Sequence, residues 1–251
     1  MQFSANLGFL WSDLALPDAI RAAAAAGFDA VECHWPYAHA PEAVSAALAE
    51  TGLAMLGLNT LRGQPGENGL SAIPGREAEA RAEIDRAITY ARAIGCGSVH
   101  VMAGVAEGPQ AETVFLANLD HACRAAPDLT ILIEPLNSYD APGYFLSRSD
   151  QAVALIERLG HPNLKLMFDC YHLQIMEGDL TRRLTRLLPV IGHVQIAAVP
   201  DRGTPDHGEV DYRHICAVLR DLGWDRPLGA EYKPVGATGD SLGWLPELRR
   251  I

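Results

Sequence analysis

Short runs rich in β-branched and other apolar residues alternate eight times with longer segments of helical period along this chain. That alternation constrains the fold more than any other feature, because strand and helix in strict succession is the pattern of a parallel sheet with crossover helices. The strands fall near residues 2–7, 28–32, 53–58, 98–102, 130–134, 164–168, 191–197 and 227–231. Between them apolar residues recur at three- and four-residue spacing, as in Ile84, Ile88, Ala91 and Ile94, or Ile215, Val218, Leu219 and Leu222. Each such helix can lay one face on the sheet. Gly27, Gly52, Gly95, Gly160 and Gly223 each follow a helical run, where a left-handed residue closes the last turn. The alanine run Ala22–Ala26, between Pro17 and Gly27, reads as the end of a well-favoured first helix.

Eight such units close naturally into a (β/α)₈ barrel, whereas a doubly wound open sheet generally has five or six strands and a glycine-rich first turn. No GxGxxG is present. A length of 251 residues suits one barrel, and no linker or composition shift divides the chain, so a single domain over 1–251 is expected.

Parallel strands buried on both faces should be continuously apolar, so an ionisable residue at a strand's end needs its own explanation. Four successive strands carry a polar end: Glu134 in TILIEPLN, Asp169 in LKLMFDCYH, Gln195 in GHVQIAAVPDR and Glu231 in PLGAEYKP. All four fall at or near C-terminal strand ends, where barrel enzymes build their sites. Three carboxylates brought together repel one another and require protons or a compensating cation. With the amide carbonyl of Gln195 they form a hard oxygen donor set suited to Mg²⁺ or Mn²⁺. About two positions of an octahedral field would remain for a chelating pair of substrate oxygens. For each residue taken alone, capping a following helix or anchoring a loop explains its presence as well; the four together point to a metal.

Weaker candidates surround these. His172, three residues past Asp169, can hydrogen-bond a substrate oxygen or support the ligands, and Arg202, seven past Gln195, can clamp a carboxylate or stand as a solvated loop charge. Arg62, in a Gly/Pro-rich loop, and His100, inside the fourth strand, could bind substrate or serve structure. Glu209 fits either a pocket or a cap before the helix from Asp211, while Trp11, Trp35, Tyr37 and Tyr171 fit pocket walls or packing.

The segments IEPLN, FDCYH, HVQIA with PDR beyond it, and GAEYKP resemble the hydroxypyruvate isomerase family, a branch of the xylose isomerase-like barrels. NTLRGQPGENGL at 59–70 and VHVMAG at 99–104 extend the resemblance along the chain. It implies interconversion of hydroxypyruvate and 2-hydroxy-3-oxopropanoate through an enediolate, with Glu134 and Glu231 as the proton-transfer pair. Related branches act as 2-oxo-tetronate isomerases or ketose epimerases, and Gln195, where the epimerases have His, favours the hydroxypyruvate branch.

A metal-dependent phosphodiesterase or endonuclease of the same superfamily is a competing reading, as is a non-catalytic ligand-binding barrel. The formal net charge of −11 and the absence of a His-rich set argue against the nuclease, and the presence of both strand-end glutamates argues against the second. The expected partner is a small hydroxy-oxo acid or sugar, with neither nucleic acid nor membrane; homo-oligomerisation is left open. The N-terminus lacks a signal-like apolar run and the five cysteines are scattered without CxxC pairs, so a cytoplasmic protein with free thiols is expected.

Overall fold

Every strand of the sheet is parallel to its neighbours, and the sheet closes on itself. The computed structural model describes residues 1–251. Its strands are β1 (Phe3–Asn6), β2 (Ala30–Glu32), β3 in two pieces (Ala54–Met55 and Leu58–Asn59), β4 (Ser98–His100), β5 (Thr130–Ile133), β6 (Leu164–Asp169), β7 (Ile191–Ile196) and β8 (Leu228–Ala230). β1 pairs with both β2 and β8. The first piece of β3 pairs with β2 and the second with β4. Between the two pieces, Leu56 N donates to Val31 O at 2.8 Å and Cys33 N to Gly57 O at 3.1 Å, so the third strand bridges both neighbours and the barrel is complete. The interruption has a local cause: Ser98 Oγ donates to Leu56 O at 2.7 Å, and a Cβ at Gly57 would lie 2.9 Å from that hydroxyl.

The helices are α1 (Leu16–Ala25), α2 (Pro41–Thr51), α3 (Glu77–Ile94), α4 (Gly108–Ala125), α5 (Ser149–Leu159), α6 (Cys170–Met176), α7 (Leu180–Leu187), α8 (Tyr212–Asp221) and α9 (Leu245–Leu248). The alanine run closes α1, and Ile84, Ile88, Ala91 and Ile94 are the buried stripe of α3 as their spacing predicts. Gly52, Gly95 and Gly160 are left-handed caps of α2, α3 and α5. Two features are absent from a simple eightfold reading: α6 and α7 both lie between β6 and β7, and the last helix shrinks to the four residues of α9. One continuous core of 69 buried residues joins barrel interior, sheet and helices. All five cysteines are free and buried, and no helix is long and apolar enough to cross a membrane.

Candidate active site

The strand ends deliver the four polar side chains to one mouth of the barrel. Asp169 is the last residue of β6 and stands opposite Gln195 in the β6–β7 register; Gln195 stands opposite Gly229 of β8. Glu134 and Glu231 each follow directly on the last residue of β5 and β8. All four are buried. Glu134, Gln195 and Glu231 line one cleft together with Glu32, His34 and His100.

The three carboxylates have unequal surroundings. Asp169 is also the N-cap of α6: its Oδ1 accepts from Tyr171 N at 2.9 Å, which leaves Oδ2 to receive Arg202 Nη2 at 3.1 Å. Glu231 accepts at both oxygens, with His34 Nε2 2.7 Å from Oε1 and Arg202 Nη2 2.8 Å from Oε2. Glu134 Oε1 is buried with no hydrogen-bond partner. The ring nitrogens nearest Glu134 are His100 Nδ1 at 3.6 Å and His172 Nε2 at 3.9 Å, too far for hydrogen bonds.

Protonation follows from these contacts. Burial, reinforced by the charges of Glu231 and Asp169, pushes Glu134 well above the usual carboxylate range. Burial also raises Asp169, to about 7, against the opposing pull of Arg202. Burial acts upward on Glu231 as well, but there Arg202 and His34 prevail and hold it at about 2. Burial lowers His100 to about 4, and burial with Arg202 alongside keeps His172 well below the usual imidazole range, so both rings are neutral.

Arg202 is not a surface charge. Its side chain is buried and its backbone is left-handed at φ 54°. Arg202 N donates to Ala198 O at 2.9 Å and Arg202 O accepts from Lys233 N at 2.7 Å, which ties the loop after β7 to the one after β8. The guanidinium stacks 4.7 Å over Tyr171 and 5.2 Å over Phe9. With Nη2 engaged by Asp169 and Glu231 and Nε by Glu231 O, Nη1 is the nitrogen left to meet a ligand.

The ring of His172 meets N–H donors at both nitrogens. Its Nδ1 faces Asn137 N at 3.0 Å and Asn137 Nδ2 at 2.8 Å. Arg202 Nη1 lies 3.0 Å from its Nε2. A neutral ring accepts at one nitrogen only, so one of these donors is left without an acceptor in the ring.

The remaining sequence candidates scatter. His100 lies in the cleft beside Glu134, both ring nitrogens buried and unpartnered. Arg62 is exposed, stacked 4.7 Å over Trp35 and apart from the cleft. Glu209 is exposed, and the cap of α8 is Asp211, which accepts from Arg213 N and His214 N. Trp35 and Tyr37 anchor the end of β3 through Thr60 O and Asn59 O, and Trp11 N is held by Thr238 Oγ1, so of the aromatics only Tyr171 touches the charged cluster. Sequence reasoning missed Glu32, His34 and His193. The first two are legible by the strand-end rule, since β2 ends AVECHW; His193 carries no such signal.

These residues fit a divalent cation. Oxygens of Glu134 and Asp169 and a ring nitrogen of His172 lie within 4.8 Å of one another, a spacing able to hold a metal. Two further observations define the donors more narrowly: Glu134 Oε1 and Gln195 Oε1 are both buried without partners, as ligand oxygens are before an ion is present.

Residues 20–248 match the family model described as xylose isomerase-like TIM barrel. The chain is 45% identical to a 2-oxo-tetronate isomerase from Cupriavidus necator, with 97% of each chain covered. It is 36% identical to hydroxypyruvate isomerase from Escherichia coli, covering 99% of this chain and 100% of the relative. A crystal structure described as AP endonuclease, family 2, from Brucella melitensis superposes with a TM-score of 0.94 at 38% identity, covering 98% of each chain. Fold and site together define an α/β-barrel isomerase. The chain belongs to the hydroxypyruvate isomerase branch of the xylose isomerase-like TIM barrel family.

Proposed function

We propose that the protein is a divalent-metal-dependent isomerase that interconverts hydroxypyruvate and 2-hydroxy-3-oxopropanoate, with residues 1–251 acting as one domain in the cytoplasm. The observation that carries this reading is the pair of partnerless buried oxygens, Glu134 Oε1 and Gln195 Oε1, beside Asp169 and Glu231 at one end of the barrel. Glu134, Asp169, Gln195 and Glu231 would hold the ion, an all-oxygen set suited to Mg²⁺ or Mn²⁺. When bound, the ion would polarise the substrate carbonyl and stabilise the negative charge of an enediolate.

The protein's own groups do the rest. The isomerisation moves a proton between neighbouring carbons, so it needs an acceptor and a donor on the two sides of the substrate. Glu134 and Glu231 are two of the three glutamates of the cleft; Glu134 has one oxygen free of partners, and Glu231 is oriented at both oxygens by His34 and Arg202. Burial raises Glu134, which suits it to gain and hold a proton, while Arg202 and His34 keep Glu231 ionised. Arg202 and His172, beside Asp169 and Glu231, would receive a substrate oxygen and fix the substrate's direction.

A 2-oxo-tetronate undergoes the same exchange, and the identity to the Cupriavidus relative makes it the second substrate to test. Phosphodiester hydrolysis is disfavoured by the net charge of −11. The test is a turnover assay of metal-free and Mn²⁺- or Mg²⁺-replete protein on hydroxypyruvate, 2-oxo-tetronates, ketoses and an abasic DNA duplex. Metal-dependent turnover of hydroxypyruvate above the others is expected. Equal turnover in metal-free protein, or cleavage of DNA alone, would overturn the reading.

A further inference from the structure

A fourth carboxylate lies in the same cleft, and its hydrogen bonds bear on which atom of Gln195 faces the other three. Glu32, the last residue of β2, is 4% exposed. Its Oε1 accepts from Asn6 Nδ2 at 3.0 Å and from Gln195 Nε2 at 2.8 Å. Its Oε2 accepts from Ser4 Oγ at 3.2 Å and lies 2.7 Å from His193 Nε2. Groups from β1 and β7 thus fix the carboxylate from both sides. The fit is close: a Cβ on Gly229, across the sheet from Gln195, would lie 2.7 Å from both Glu32 oxygens and 2.8 Å from Gln195 Cγ.

A carboxamide is nearly symmetric in shape, so a half-turn exchanges its oxygen and nitrogen at little steric cost, and only the hydrogen-bond network decides between them. A carboxylate offers acceptors alone. The end of Gln195 against Glu32 is therefore its NH₂, and the oxygen is turned away, buried and without a partner, in the cleft that Glu134 and Glu231 share. Turned the other way, the amide would present N–H to a cation.

We propose that Glu32 is a positioning residue that fixes the Gln195 amide with its oxygen toward Glu134 and Glu231, completing an all-oxygen site for a divalent cation of the Mg²⁺/Mn²⁺ class. The inference rests on the reading of Gln195 as a ligand given above. Loss of such an orienting contact lowers metal affinity by about 10- to 100-fold.

The experiment is calorimetric titration of metal-free full-length protein with Mn²⁺, for wild type, Gln195→Leu, Glu32→Leu, the double variant and Glu32→Gln. Gln195→Leu and Glu32→Leu are each expected to weaken Mn²⁺ binding by about 10- to 100-fold, and the double variant by no more than the weaker-binding single one, because both act through one amide oxygen. Glu32→Gln retains an acceptor for Gln195 Nε2 and should stay within about threefold of wild type, which a role confined to charge would not allow. If Gln195→Leu binds Mn²⁺ like wild type, the ligand reading falls and the proposal with it. If Gln195→Leu weakens binding but Glu32→Leu does not, or if the two losses multiply, the ligand reading stands and the proposal alone is overturned. Should Glu32→Leu fail to fold, Glu32→Asp keeps the charge but draws the acceptor back from Gln195 Nε2, and wild-type Mn²⁺ affinity in that variant would equally overturn the proposal.

Discussion

Arg202 Nη2 donates to Glu231 Oε2 at 2.8 Å and also reaches Asp169 Oδ2 at 3.1 Å, so a single guanidinium nitrogen joins the ends of β6 and β8. One cation among Glu134, Asp169 and Glu231 leaves two negative charges unmatched when all three are ionised. In metal-free protein that imbalance is met by protons, as the raised Glu134 and Asp169 show; a divalent ion would replace them.

The stability of the protein should therefore respond to pH and metal together. Glu134 and Asp169 are raised in the folded state, so below about 7 folding retains protons that the unfolded chain has released. Their contribution to metal-free stability is fully present below the unfolded values and is lost as pH rises toward 7 and beyond. Glu231 has the opposite sign, its contribution being present above its ordinary value and lost as pH falls toward 2. Saturating Mn²⁺ is expected to raise Tm more at pH 8 than at pH 5.5, because the competing protons are gone. A Tm increment that is equal at both pH values, or larger at 5.5, would remove these carboxylates as ligands.

Glu134→Gln and Glu231→Gln should each lower kcat by at least about 100-fold, the lower end of what positioned proton-transfer groups contribute. Their effects on folding should diverge. Glu134 Oε1 has no partner, so neutralising it should leave metal-free Tm unchanged or higher. Glu231→Gln removes a charge from buried Arg202, a loss that typically costs about 3–5 kcal/mol. Activity at equal metal content and Tm without metal, measured on both variants, separate the two predictions.

Much of this site is legible from the chain alone, and the omissions share a cause. Glu134, Asp169 and Glu231 stand out because each interrupts an apolar strand at its C-terminal end, and the barrel geometry does the rest. Glu32 ends β2 in the same way, yet its meaning lies in Asn6, Ser4, His193 and Gln195, partners that only the closed sheet brings within reach. Arg202 follows Pro-Asp in a loop and reads equally as a solvated charge; its burial depends on the stacking of Tyr171 and Phe9. The ring of His172 is held at Nδ1 by Asn137 N, a backbone group that carries no side-chain signal in the sequence.

The place of His172 makes its own prediction. If the ion is held by the four oxygen donors, His172 is left to the substrate, so His172→Leu should lower kcat/KM by roughly 10- to 100-fold, the value of one or two hydrogen bonds, while Mn²⁺ affinity stays within about threefold. Titrating the variant with Mn²⁺ checks it. An affinity loss as large as that of Asp169→Asn would instead place His172 among the ligands.

The last prediction concerns what Arg202 recognises. Its Nε and Nη2 are committed to Glu231 and Asp169, so a substrate carboxylate would be met by Nη1, beside His172, and not by two guanidinium nitrogens side by side. A charge-assisted hydrogen bond is worth about 1.5–3 kcal/mol, which predicts roughly 10- to 100-fold higher kcat/KM for hydroxypyruvate than for neutral dihydroxyacetone. Arg202→Met lowers both values, since it also strips a cation from Asp169 and Glu231; the informative quantity is their ratio. That ratio should collapse toward one in the variant at equal metal saturation. If wild type and Arg202→Met discriminate equally, Arg202 serves the carboxylates of the protein alone, and the acid group of the substrate is recognised by another residue of the cleft.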